Sequence, residues 1–167
     1  MIVIVVSFVD LREKQWAVDH DYPVNIGRIA KESGCQHYHI ISSQGANANS
    51  RLFYAKMKGQ MESDVKSLGL PRTSIYRPGF LLCDRTENRL EEWIVAPILR
   101  LYSKISPTTL TIPTVTVAKA MILNCFNSPS AEPKPSFEIL ENAALHALGK
   151  TFDSKFPPST DKWAYTR

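Results

Sequence analysis

Two short runs rich in β-branched and aromatic residues, His37-Tyr-His-Ile-Ile-Ser42 and Thr73-Ser-Ile-Tyr-Arg77, stand on either side of one helical segment, Leu52 to Leu68. That order constrains the fold more than any other feature. Strands joined by a helix cannot form a hairpin, and the crossover brings the second strand back parallel to the first. The pattern continues upstream. Met1–Val9 has the β-branched density of a strand, and Val24, Ile26, Ile29 and Ala30 predict a helix over Asp21–Ser33, with Pro23 in its first turn and Gly34 as its stop. Downstream, Pro78-Gly79 breaks the second run. Glu91–Tyr102 predicts a helix with Trp93, Ile94, Ile98 and Leu101 as its stripe, Thr109–Ile112 is extended, and Thr116–Phe126 is helical behind Pro113. A loop over 127–135, a late strand at Phe137–Leu140 and a helix over Glu141–Leu148 closed by Gly149 complete the series. The chain is expected to form one α/β domain over 1–150, built on a parallel sheet, with 151–167 as a flexible tail.

Bulk properties narrow the class. A chain of 167 residues is long enough to bury one core, and 44% hydrophobic with 22% charged residues is ordinary for a globular protein. The net charge of +4 is scattered, with no Lys/Arg run longer than two, so no nucleic-acid partner is expected. Cys35, Cys83 and Cys125 lack metal-ligand spacing and read as reduced thiols. The apolar Met1–Val9 is too short to span a bilayer and has no small-residue cleavage site, so neither a membrane span nor a signal peptide is expected.

In parallel sheets ligands bind beyond the carboxyl ends of the strands. Ser42-Ser43 and Pro78-Gly79 both follow a strand, which places them on one rim. Tyr54 and Lys58 follow as a YxxxK spacing near the start of a helix, putting phenol and ammonium on one face. A phenol exchanges protons poorly near neutrality, and an ammonium beside it favours the phenolate. The Ser42 hydroxyl would then hold a substrate carbonyl, and a nicotinamide would supply the hydride that side chains cannot. With six tyrosines and eleven lysines, chance gives about 0.4 such spacings. The spacing alone therefore fits equally well a helix whose tyrosine packs and whose lysine is solvated. His37 and His39 alternate onto one strand face without a third ligand, so a structural role and no metal is the reading. Arg77 has two readings, contact with a ligand or pairing with a carboxylate.

The strings Val18-Asp-His-Asp-Tyr22, Ile40-Ile-Ser-Ser-Gln-Gly-Ala46, Tyr54-Ala-Lys-Met-Lys-Gly59 and Tyr76-Arg-Pro-Gly-Phe-Leu-Leu-Cys-Asp-Arg85 resemble the short-chain dehydrogenase/reductase superfamily. Within it they are most similar to the Tat-interacting oxidoreductase-like tumour-suppressor family. The resemblance covers roughly Ala17 to Lys150. It implies a Rossmann-like fold that binds NADPH, with Tyr54, Lys58 and Ser42 as catalytic residues. Tyr54, Lys58, Leu81 and Arg89 would contact the cofactor. It also implies an NADPH-dependent oxidoreductase-like regulatory protein acting on a small carbonyl substrate. An importin-beta-type receptor as partner, a role in apoptosis and a cytoplasmic or nuclear-envelope location are further implications, while a homodimer is expected from the exposed edge that an incomplete sheet would leave.

One part of the family pattern has no counterpart. A GxxGxxG loop between a strand and a helix holds the pyrophosphate in that superfamily, and Gly27, Gly34, Gly45 and Gly79 do not supply it. The expectation is a partial Rossmann-like sheet lacking the N-terminal βαβ glycine-loop unit, with a small C-terminal substrate-side region. The alternative function is a non-catalytic interaction protein, or an inactive truncated form that binds no cofactor.

Overall fold

The computed structural model describes residues 2–4, 12–82, 110–126 and 136–157. The strands are β1 (Ile2–Ile4), β2 (Tyr38–Ile41), β3 (Arg72–Arg77), β4 (Phe80–Leu82), β5 (Thr111–Pro113) and β6 (Ser136–Glu141). The helices are α1 (Arg12–Trp16), α2 (Tyr22–Glu32), α3 (Phe53–Ser67), α4 (Thr114–Phe126) and α5 (Asn142–Lys155), with a π-helical turn, Ala17–Asp21, joining α1 to α2. Four strands form one sheet in the order β1-β2-β3-β6, and β4 with β5 forms a second, two-stranded sheet. Every pairing is parallel. Ile40 lies opposite Ile75, and Ile75 opposite Ile139.

Side chains alternate across β2 and β3, so the two faces of the sheet feed two cores. On one face Tyr38, Ile40 and Ile75 pack with Val24 and Ala30 of α2 and Met61 and Val65 of α3. On the other, Tyr76 packs with Val117, Ala120 and Met121 of α4 and Leu145 of α5. A sheet covered on both faces is the setting in which parallel strands are stable. Gly34 and Gly69 end their helices at φ of +73° and +61°, the left-handed conformation that a side chain disfavours.

The expected α/β parallel sheet is the one observed, and three local expectations need correction. The helix expected over Asp21–Ser33 is α2, one residue shorter at each end and with Pro23 in its first turn, but it is not a fresh start. It continues α1 through the π-helical turn, and Pro23 sits inside the helical run. Proline has no N–H to give the carbonyl four residues back, and its ring crowds that oxygen. The wider turn just before it relieves this crowding. Gly149 does not close the last helix, which runs on to Lys155 inside the expected tail. A Cβ at Gly149 would lie 2.6 Å from Cγ2 of Thr116, so the glycine allows close approach of α5 to α4. The strand β4 follows Pro78-Gly79 directly and was not anticipated. The predicted Glu91–Tyr102 helix, the 127–135 loop, Cys83 and Arg89 lie outside the described residues.

Candidate functional site

The site is built where β2 ends and α3 begins. The amide of Ser42 donates to the Tyr76 carbonyl (2.7 Å) and that of Gln44 to the Pro78 carbonyl (2.9 Å), so the rim after β2 is tied to the rim after β3. The loop then folds back along α3. Asn47 N donates to Ala55 O (2.9 Å), and at Gly59 the helix backbone comes so close that a Cβ would lie 2.1 Å from Ala48 N. This approach places Ser43 against Tyr54, whose phenol shares a hydrogen bond with the Ser43 hydroxyl. Ser42 is buried, and among the described residues its Oγ has no hydrogen-bond partner.

Tyr54 and Lys58 share a face of α3 as their spacing predicts, with Lys58 Nζ 5.9 Å from the centre of the tyrosine ring. The ammonium, however, is held by another element. Lys58 Nζ donates to Asp19 Oδ1 at 3.0 Å, and both side chains are 3% exposed. Asp19 reaches inward because the π-helical turn carries it; the next residue, His20, is also buried. Its ring nitrogens meet Asp21 Oδ1 (2.8 Å) and Asp64 Oδ2 (3.0 Å), and it stacks on Trp16 at 4.7 Å.

This changes the expected acid–base chemistry. Burial pushes the Tyr54 phenol above its ordinary range, the Asp19 carboxylate adds to the rise, and the Ser43 hydrogen bond opposes both. The anticipated lowering by Lys58 does not result, because a carboxylate against the ammonium cancels most of its field at the phenol. Near neutral pH Tyr54 is a proton donor.

Leu81 lies in β4, 37% exposed, and Arg77 takes the carboxylate reading. Arg77 Nε and Nη2 donate to the two oxygens of Glu62 (2.9 and 2.6 Å), and Nη1 donates to Glu141 (2.8 Å). The histidines belong to a separate polar network on the opposite sheet face. Tyr76 OH accepts from Asn124 Nδ2 (2.9 Å) and meets His39 Nδ1 at 2.7 Å, and Ser74 Oγ meets His37 Nε2 at 2.7 Å and donates to Glu138. Arg72 closes the network on Glu138 (2.9 Å). Cavities lined by Arg28, Lys31 and Leu68, and by Cys35, His37 and Cys125, do not include Tyr54, Lys58 or Ser42. Among the described residues no helix is long and apolar enough to cross a membrane.

Sequence reasoning missed Asp19 and Ser43 as site residues. One signal was available for Asp19. Lys58 stands beside Met57 and Met61 on the inward side of α3, and a lysine so buried requires a carboxylate from elsewhere.

An all-parallel sheet with helices on both faces defines a Rossmann-like α/β protein. Solved structures bear out the fold. The chain superposes on a UDP-galactose 4-epimerase with a TM-score of 0.52 at 12% identity, covering 83% of this chain and 54% of that one. It superposes on the enzyme WbmG of Bordetella bronchiseptica, crystallised with NAD and UDP, with a TM-score of 0.53 at 12% identity, covering 90% and 53%. No protein-family model matches the chain. In sequence, it is 38% identical to Protein HTATIP2 of Rattus norvegicus over 136 residues, 81% of this chain and 54% of the relative. It is 39% identical over 93 residues to Protein fmp52, mitochondrial, of Aspergillus niger, 56% of this chain and 40% of the relative. The chain belongs to the HTATIP2-like family of Rossmann-type proteins. It spans about half the length of the curated relatives it matches.

The comparison corrects the expected location. Relatives in Aspergillus niger and Saccharomyces cerevisiae are named mitochondrial proteins, and this overturns the cytoplasmic or nuclear-envelope expectation.

Proposed function

We propose that this chain carries the proton-transfer half of an NADPH-dependent carbonyl reductase. One observation carries the reading. A buried serine hydroxyl without a partner lies at the end of β2, beside a loop that holds a protonated tyrosine. An unsatisfied buried hydroxyl is costly, and one at a rim where ligands bind is explained by a ligand oxygen that completes it.

The residues fit the nicotinamide end of such a cofactor. Ser42 Oγ would donate to the substrate oxygen, and Tyr54 would give that oxygen its proton through the Ser43-bound phenol. Lys58, fixed by Asp19, would stand at the cofactor side of the tyrosine. Leu81 would offer an apolar surface, as the resemblance implies. The bound cofactor supplies hydride to the carbonyl carbon. The pyrophosphate end does not fit residues of this chain, because none of its seven glycines forms the strand–GxxGxxG–helix loop.

Trp16 packs near Phe53, with ring centres 6.2 Å apart, next to Tyr54, and so reports on the site. NADPH titrated into the full chain is expected to quench tryptophan fluorescence and raise the melting temperature, since a ligand that binds only the folded state stabilises it. No change at millimolar NADPH or NADH sinks the reading and leaves the non-catalytic interaction protein in its place. Control of nuclear import through an importin-beta-type receptor, and a part in apoptosis, belong to the same proposal by resemblance. Co-purification with importin beta tests the first. A mitochondrial association, suggested by the fungal relatives' names, is tested by cell fractionation.

A further inference from the structure

Asp19 and Lys58 are the pair that the reduction scheme leaves without a stated purpose. They lie 39 residues apart in sequence, meet at 3.0 Å, and are both 3% exposed. Buried ion pairs give little net stability against well-packed apolar residues, so holding the fold together is a poor reason for this one. Its position suggests another. Lys58 Nζ is 5.9 Å from the Tyr54 ring centre, and Asp19 stands against the same ammonium.

We propose that Asp19 is a positioning residue that neutralises Lys58 and so keeps the resting Tyr54 site in its proton-bearing form, the form from which a carbonyl oxygen draws a proton. The inference rests on the reading of Tyr54 as the proton donor. It adds the residue that sets the resting charge of that site. The charged groups reaching the phenol are Asp19 from the π-helical turn and Lys58 from its own helix. From the β2–α3 loop comes the Ser43 hydroxyl. His20, next to Asp19, is held between Asp21 and Asp64.

With Lys58 unpaired, its cation would stabilise the phenolate, and Tyr54 would be poised as a base. With Asp19 in place, the local charge is close to zero and burial decides, keeping the phenol intact. In reduction, as the carbonyl carbon took up hydride and the C=O π pair moved to oxygen, the Tyr54 O–H would break to form the alcohol O–H. The phenolate left behind is reprotonated from solvent.

The test needs no cofactor, so it fails or succeeds separately from NADPH binding. The tyrosinate absorbance of the full chain is titrated against pH, and the difference between the natural chain and Tyr54→Phe isolates Tyr54. Asp19→Asn is expected to move the Tyr54 midpoint down by at least about one pH unit, a tenfold gain in phenolate at a given pH. Asp19→Glu should restore it. An unchanged midpoint in Asp19→Asn overturns the proposal. Asp19→Asn/Lys58→Met removes both charges and serves where the single variant does not fold. Its midpoint should match the natural chain. A displacement of more than about one unit there shows that the pair does not act as a neutral unit, and the proposal falls.

Discussion

Acid should weaken this fold through His39, and the size of the effect follows from its partners. Tyr76 OH accepts a hydrogen bond from Asn124 Nδ2, and we assign its own proton to His39 Nδ1, 2.7 Å away, the tautomer that leaves the Nε2 hydrogen for Cys125. Nδ1 is therefore the bare nitrogen. Nε2 carries the hydrogen toward Cys125 Sγ at 3.6 Å, whose own S–H donates to Met121 O. A second proton on the ring would set N–H against O–H. Burial and, after it, the Arg72 cation lower the His39 pKa to about 4. The sign follows from proton counting. The unfolded histidine takes up its proton near pH 6.5 and the folded one only near 4, so stability is full above 6.5 and is lost as pH falls from there toward 4. From pH 7 to pH 5 this amounts to about 2 kcal/mol from His39 alone. His37, lowered to about 3 mainly by burial but partly exposed, adds a smaller share of the same sign. Urea unfolding at the two pH values, on the natural chain and on His39→Gln, reads the effect. The variant should lose about 2 kcal/mol less than the natural chain over the interval. Equal losses in the two proteins would show that His39 already carries its proton in the folded state, and would refute the donor assignment.

Further outcomes follow from the packing around the site. Gly59→Ala should cost about 3 kcal/mol or more in urea unfolding, because the new Cβ meets backbone atoms of Asn47 and Ala48 that cannot step aside. Gly149→Ala should cost about 1 kcal/mol or less, because the obstacle is the Thr116 methyl, which can rotate, and alanine favours helix. Similar costs at both sites would contradict the distinction between backbone and side-chain obstacles. Arg77→Met should cost about 3–5 kcal/mol by leaving Glu62, whose side chain is 6% exposed, without its cation. Arg77→Met/Glu62→Leu should recover most of that loss, and a double variant no more stable than the single one would mean that Glu62 is not the group stranded.

The sheet was legible because its strands declare themselves locally. Tyr38–Ile41 and Arg72–Arg77 are dense in β-branched and aromatic residues, and the helix between them ends at a glycine. The features that escaped depend on distant partners. Lys58 and Glu62 have the four-residue spacing of an ordinary surface pair, yet Lys58 turns to Asp19 and Glu62 to Arg77. No periodicity along α3 reveals that exchange. Pro23 is equally at home in the first turn of a helix and just after a π-helical turn, and only packing separates the two. Gly149 could end a helix or let two helices touch, and the choice lay with Thr116 on another helix. The YxxxK face was readable in sequence, whereas the charge that decides its chemistry was not.

The small β4–β5 sheet is attached to the rest by hydrogen bonds to its main chain, and by Ile112, which is buried in the core with Tyr76 and Leu145. Asn142, at the start of α5, accepts from the amide of Gly79 (2.8 Å) and donates to the carbonyl of Thr111 (3.3 Å), while His146 meets the same carbonyl at 2.9 Å. One amide side chain thus rivets together the ends of two segments through groups that every residue possesses. Substitutions along Phe80–Leu82 can therefore accumulate without loosening the rivet or disturbing α3. The exposed side chains of Phe80, Leu81 and Leu82 are thus free to vary while the Asn142 bridge keeps its bonds.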